Sequence, residues 1–189
     1  MKKAALGVLL SFLVGCQNFV ERDENSPFYM VPGGSRLLLH YDVMIPPYKL
    51  KTYIQNGRIV YAPNQYYPFC RFELRQVKET PQRVTPDTFE IYQTSRQKGI
   101  FAAMSFFQLF ASLTFGNSGD GKPSPIIYAT RMDLRSPQQP EVFRLTCGHL
   151  QDPNLEARHL SIMQIREALG NVFTLQLPHE KTTINNVKN

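Results

Sequence analysis

The chain lacks the short motifs that mark common catalytic machinery. No GxSxG, HExxH, Walker loop or GxGxxG occurs, which leaves no sign of a nucleophile elbow, a zinc-protease helix, a phosphate loop or a dinucleotide fingerprint. Cysteine is scarce, with three in 189 residues and no CxxC, so a thioredoxin-type redox centre has no basis. The four histidines, His40, His149, His159 and His179, are spaced too irregularly to make a metal site readable. The formal charge of +6 comes without a basic stripe or an RNA-binding motif, so nothing marks nucleic acid as a partner. The expectation is a non-enzymatic chain with no catalytic residue, no cofactor and no metal.

A permanent N-terminal membrane span is also missing. Met1-Lys2-Lys3 precedes an uncharged apolar run of eleven residues, Ala4 to Val14. A helix needs about 20 apolar residues to cross a hydrocarbon core about 30 Å thick, so the run has the layout of a secretory signal. The following Leu13-Val14-Gly15-Cys16 resembles the lipobox of bacterial lipoproteins. That resemblance implies removal of residues 1–15, a diacylglycerol thioether on Cys16 and a palmitate-type acyl chain on its new amine. Each buried methylene contributes about 0.8 kcal/mol, so two or three chains form a lasting anchor. Gln17 stands where the family rule places an aspartate for inner-membrane retention, which points to the outer membrane with the domain facing the periplasm. Removing Lys2 and Lys3 takes the formal +6 to +4, and removing 15 of 189 residues leaves 174, enough for one domain with a core.

Residues 16–34 read as the lipidated cysteine and a flexible linker, being polar and broken by Pro27, Pro32 and Gly33-Gly34. Residues 35–178 read as a single mainly β domain. Strand-like runs occupy Arg36–Ile45, Lys49–Gln55, Arg58–Ala62, Phe69–Val77, Phe89–Gln97, Ile126–Leu134, Val142–Cys147 and Val172–Leu177. Asn56-Gly57, set between two of these runs, is a strong short hairpin signal. The predicted architecture is an antiparallel sandwich or barrel-like domain with one short C-terminal helix and one disulfide. That helix spans Ser161 to Leu169, with Ser161 as its cap, Leu155, Leu160, Met163, Ile165 and Leu169 as an incomplete apolar stripe, and Gly170 at its stop. Residues 179–189 read as a disordered tail.

With Cys16 set aside for lipid, Cys70 and Cys147 remain as the number one disulfide needs, in a compartment that permits it. Alternation places Cys70, Phe72 and Leu74 on one strand face and Arg71, Glu73 and Arg75 on the other. Phe143, Leu145 and Cys147 alternate likewise. A bond between the cysteines would cross the core or join neighbouring strands. Their 77-residue separation would stabilise the fold by about 4 kcal/mol in the chain-entropy model.

Gly99 to Gly116 is uncharged throughout and holds five of the thirteen phenylalanines. Three readings fit it: a cover packed over an open end of the sheet, a partner- or membrane-facing surface formed by Phe101, Phe106, Phe107 and Phe110, or a spanning helix that barely reaches. Tyr61, Tyr66, Tyr67 and Phe69 form either a loop closing one end of the fold or a platform for sugar or peptide. Arg71-Glu73-Arg75 and Arg131-Asp133-Arg135 read as ion pairs on a solvated sheet face.

The segments Tyr67–Arg75, Thr85–Ile91, Phe143–Gly148 and Ser161–Gly170 resemble an uncharacterised family of proteobacterial secreted or lipidated proteins. The resemblance covers roughly Arg36 to Leu177; it implies the disulfide and carries no catalytic residue. The sequence therefore leads to an outer-membrane-anchored periplasmic lipoprotein, binding or structural in role. Its expected partners are the membrane, through the acyl chains, and an envelope protein. An envelope hydrolase or carbohydrate-binding protein with a site assembled from distant residues is the alternative.

Overall fold

Alternation of apolar and polar residues builds most of the molecule, because a half-buried strand shows opposite faces to core and solvent. The structure is a computed structural model that describes residues 23–99, 126–152, 155–156 and 158–180. Residues 1–15, Cys16, the apolar stretch with Phe101, Phe106, Phe107 and Phe110, and the tail beyond Glu180 lie outside the described residues. Among the described residues ten strands and one helix follow in the order β1 (Ser35–Leu39), β2 (Val43–Ile45), β3 (Lys51–Gln55), β4 (Arg58–Val60), β5 (Phe69–Leu74), β6 (Gln82–Val84), β7 (Asp87–Gly99), β8 (Ile126–Arg135), β9 (Val142–Gln151), α1 (Ile162–Leu169) and β10 (Phe173–Gln176). Eight strands form one antiparallel sheet in the order β10-β1-β7-β8-β9-β5-β3-β4, curled into a half-barrel, and β2 pairs with β6 in a second, two-stranded sheet. The mainly β, barrel-like expectation stands, with one helix and one cysteine pair among the described residues.

The inner face of the curl carries the core. Leu37, Phe89, Met132, Leu145, Phe72 and Ile54 all point there, each fully buried, and the Phe72 ring lies 6.2 Å from Phe89 and 5.2 Å from Phe173. Burying one such side chain stabilises by about 1.5–3 kcal/mol. Helix α1 fills the curl with Ile162, Ile165, Ala168 and Leu169. Met163 and Leu155, expected in its apolar stripe, are exposed instead. Met163 falls on the outward side of the helix and Leu155 precedes it.

Both ends of α1 are specified chemically. The Ser161 hydroxyl accepts from the Gln164 backbone N–H while the Gln164 side chain accepts from the Ser161 backbone, a reciprocal capping box. At the other end Gly170 donates to the Arg166 carbonyl at 2.8 Å with a φ of +52°. A Cβ on Gly170 would stand 2.4 Å from the Cα of Gly57. Asn56 and Gly57, at φ +50° and +70°, form the β3–β4 turn, as the dipeptide predicts, and the Gly57 N–H donates to the Ala168 carbonyl at 3.0 Å. The hairpin tip and the helix end are thus one contact.

Four expectations change. The run Arg36–Ile45 divides between two sheets, since β2 leaves the main sheet to pair with β6, a strand the sequence pattern did not mark. Phe143 does not share a face with Leu145: the β5–β9 register shifts between Glu73 and Leu74, so Val142 pairs with Leu74, Arg144 with Glu73, and Phe143 is the extra residue of a bulge. The linker reading fails from Glu24 onward. Val31 is 1 % exposed within the core, Glu24 accepts at its carbonyl from Met163 N–H at 3.2 Å, and its carboxylate pairs with Arg166 at 2.5 Å. Glu180, placed in the disordered tail, is also held, pairing with Arg166 at 2.7 Å and accepting from Leu177 N–H.

Candidate functional site

Of the predicted site residues, the cysteine pair is within the described residues. Cys70 on β5 and Cys147 on β9 stand directly opposite in register, with Cα atoms 4.0 Å apart and sulfurs at 2.09 Å. The bond joins neighbouring strands, on the inner face, fully buried.

Three surfaces have the geometry of candidate sites. The first lies at the end of the long β7–β8 hairpin, where a cleft of about 1050 Å³ opens among Asn25, Pro27, His149, His159, Arg158 and Glu167. His149 stands opposite Tyr128 on β8, and His159 packs edge-on against the same tyrosine at 5.6 Å. Burial holds the His149 imidazole below the usual histidine range; His159 is lowered by burial and then by the facing Arg96. Both Nδ1 atoms are sealed from solvent and have no hydrogen-bond partner among the described residues. A charged ring would bury an unpaired N–H there, so the neutral form is preferred. Neither ring bonds a hydroxyl or a carboxylate among the described residues, and the Ser161 hydroxyl is occupied at the helix cap. The cleft therefore offers neutral imidazoles without a nucleophile–base pair.

The second surface is the outer face of the sheet. Cross-strand register sets Asp133, Arg144, Glu73 and Lys51 in one row, and Arg131, Thr146, Arg71 and Tyr53 in the next. Arg71 pairs with Glu73 at 3.1 Å, Arg144 reaches the same carboxylate at 3.5 Å, and Arg131 pairs with Asp133 at 2.8 Å. The bulged Phe143 carries the Arg144 guanidinium 3.7 Å from its ring centroid and that of Arg75 at 4.8 Å. Arg144 loses some basicity to burial. Arg135 pairs with Glu90 across β7–β8. Alternating charges of this kind order a sheet face.

The third surface is the aromatic loop marked in the sequence. Phe69 is 1 % exposed although it lies on the outer side of the sheet, because the loop between β4 and β5 folds over it and the Gln65 carbonyl accepts from Leu150 N–H at 2.6 Å. Tyr53 packs edge-on against Phe69 at 6.1 Å. Tyr61, Tyr66 and Tyr67 remain exposed. Tyr61 and Phe69 line a cleft of about 460 Å³ with Met44, Ile59, Lys49 and Lys51. Tyr66 and Tyr67 do not line it, so the four aromatic residues are not one platform. No local pattern marks the two lysines, which precede and begin β3 and meet the loop only through the fold.

Among the described residues no three histidine, cysteine or carboxylate side chains converge as metal ligands, and no helix is long and apolar enough to cross a membrane. Comparison with protein-family models, curated proteins and solved structures finds no match to this chain.

Proposed function

We propose that this chain is a lipoprotein anchored through Cys16 to the outer membrane, facing the periplasm, and serving as a non-enzymatic binding or structural component of an envelope assembly. Its contact surface is the Phe-rich stretch, with Phe101, Phe106, Phe107 and Phe110 as the contacting residues. The lipobox resemblance supports the anchor.

One observation carries the link between anchor and contact. The Arg96 guanidinium donates to the Pro27 carbonyl at 2.6 Å, so the segment entering the domain runs beside the part of β7 that leads into the Phe-rich stretch. Beyond Ile91, β7 pairs only with β8 among the described residues, and Gly99 and Ile126 are the two ends that this stretch joins. The tether and the stretch thus leave the domain near one another. The seven peptide links from Cys16 to Asp23 extend at most about 25 Å, which keeps this end of the domain close to the bilayer.

Two measurements test the reading. Cys16→Ser should move the protein from the membrane pellet to the soluble fraction of lysed envelopes; retention in the pellet would remove the acyl anchor. Phe106→Ser with Phe110→Ser should leave the disulfide and the urea midpoint intact while abolishing a crosslinked envelope adduct. Loss of folding in that variant would make the stretch core and end the contact proposal.

A further inference from the structure

The 460 Å³ cleft beside the aromatic loop has an apolar body and a cationic rim. Tyr53 and Phe69 give it an aromatic floor, and Met44 and Ile59 are apolar side chains that stay 50 % and 43 % exposed beside it. Large apolar side chains left open in a concave site mark it for a ligand rather than for the core. Its size falls within the range of small-molecule sites, about 300–1,000 Å³.

Charge decides what kind of ligand. Lys49 and Lys51 line the cleft and no lining residue carries a carboxylate. Among the described residues neither lysine has an acidic partner at ion-pair distance; the Lys51 ammonium lies 5.6 Å from the Tyr53 ring centroid instead. The nearest carboxylate in register, Glu73, is engaged by Arg71 and Arg144. An apolar slot with two unneutralised ammonium groups complements a molecule that is apolar along its length and anionic at one end. A peptide strand is less well served, because the adjoining sheet edge, β4, offers only three residues of backbone.

We propose that this cleft binds a single-chain anionic amphiphile, a long-chain carboxylate, with its alkyl chain over Tyr53 between Met44 and Ile59 and its carboxylate between Lys49 and Lys51. The site is independent of the acyl anchor and of the Phe-rich stretch, so it stands or falls separately from them.

The test is calorimetric titration of the full chain carrying Cys16→Ser with dodecanoate below its micellar concentration, alongside acetate, dodecyl maltoside, polyglutamate and phosphatidylglycerol vesicles. Dodecanoate should bind at one site, acetate should not, and the neutral maltoside should bind about tenfold more weakly for want of the lysine contacts. Lys49→Gln with Lys51→Gln should weaken dodecanoate about tenfold and leave the maltoside unchanged. Ile59→Asp should abolish binding of both, with the urea midpoint checking that each variant folds. Dodecanoate binding that neither variant alters overturns the proposal, since it then reflects partition into other apolar parts of the chain. Tighter lysine-dependent binding of polyglutamate would assign the cleft to an acidic polypeptide, and binding of the vesicles without binding of free dodecanoate would assign it to a bilayer surface; either result overturns it.

Discussion

The two faces of the eight-stranded sheet are built from the same strands by opposite means. On the inner face, aliphatic and aromatic side chains interlock with α1, and the one covalent cross-link sits among them. On the outer face, arginines and carboxylates alternate from strand to strand, and stability there depends on each charge keeping its neighbour. The inner face therefore tolerates no gap, while the outer face tolerates the loss of a pair at its rim far better than at its centre.

Breaking the inner face should have the largest effect. Replacing Cys70 and Cys147 together by alanine removes the closure of a 77-residue loop and should cost about 4 kcal/mol, read as a lowered urea midpoint that no longer responds to reductant. Gly170→Ala should cost about 3 kcal/mol, since it forces a side chain into a left-handed backbone and against Gly57; Gly57 amide exchange should rise with it. On the outer face, Glu73→Gln leaves the half-buried Arg71 and Arg144 without their shared carboxylate and should cost about 1–2 kcal/mol by the same melt.

Acid should probe a third environment, the hairpin cleft. His149 and His159 have folded pKa values below the ordinary 6.5, so the unfolded chain takes up protons first as pH falls. Stability should be full above about pH 6.5, decline below it until the folded rings themselves titrate, and decline less steeply in His149→Gln. Arg135→Gln should have the smallest effect, with no measurable change in midpoint, because its pair with Glu90 lies at the exposed surface. A large loss there would show that the outer face acts as one unit.

Much of the fold is legible in local sequence where local chemistry decides it. Alternation in β5 places Cys70 and Phe72 correctly, Asn56-Gly57 marks its turn, and Ser161 and Gly170 bound the helix. What the sequence hides depends on pairing across long separations. A bulge at Phe143 exists only relative to β5, and β6 is recognisable only by its partner β2. Pro27 to Gly34 looks like a linker because its anchoring bonds, from Arg96 to Pro27 and from Gly34 to Ile91, reach a strand 69 and 57 residues away. The cleft residues divide in the same manner: Tyr61 and Phe69 stand out by composition, whereas Lys49 and Lys51 acquire meaning only when the loop folds back over β3.

The link between β5 and β9 also decides how the protein would behave after damage. A protease cut anywhere between Cys70 and Cys147, the Phe-rich stretch included, opens the backbone but leaves both pieces in one molecule, one bearing the N-terminal end and the other α1 and β10. Such a nicked molecule would run as an intact chain on a non-reducing gel and separate only in thiol. The bond is thus a fail-safe tie across the Phe-rich segment of the chain.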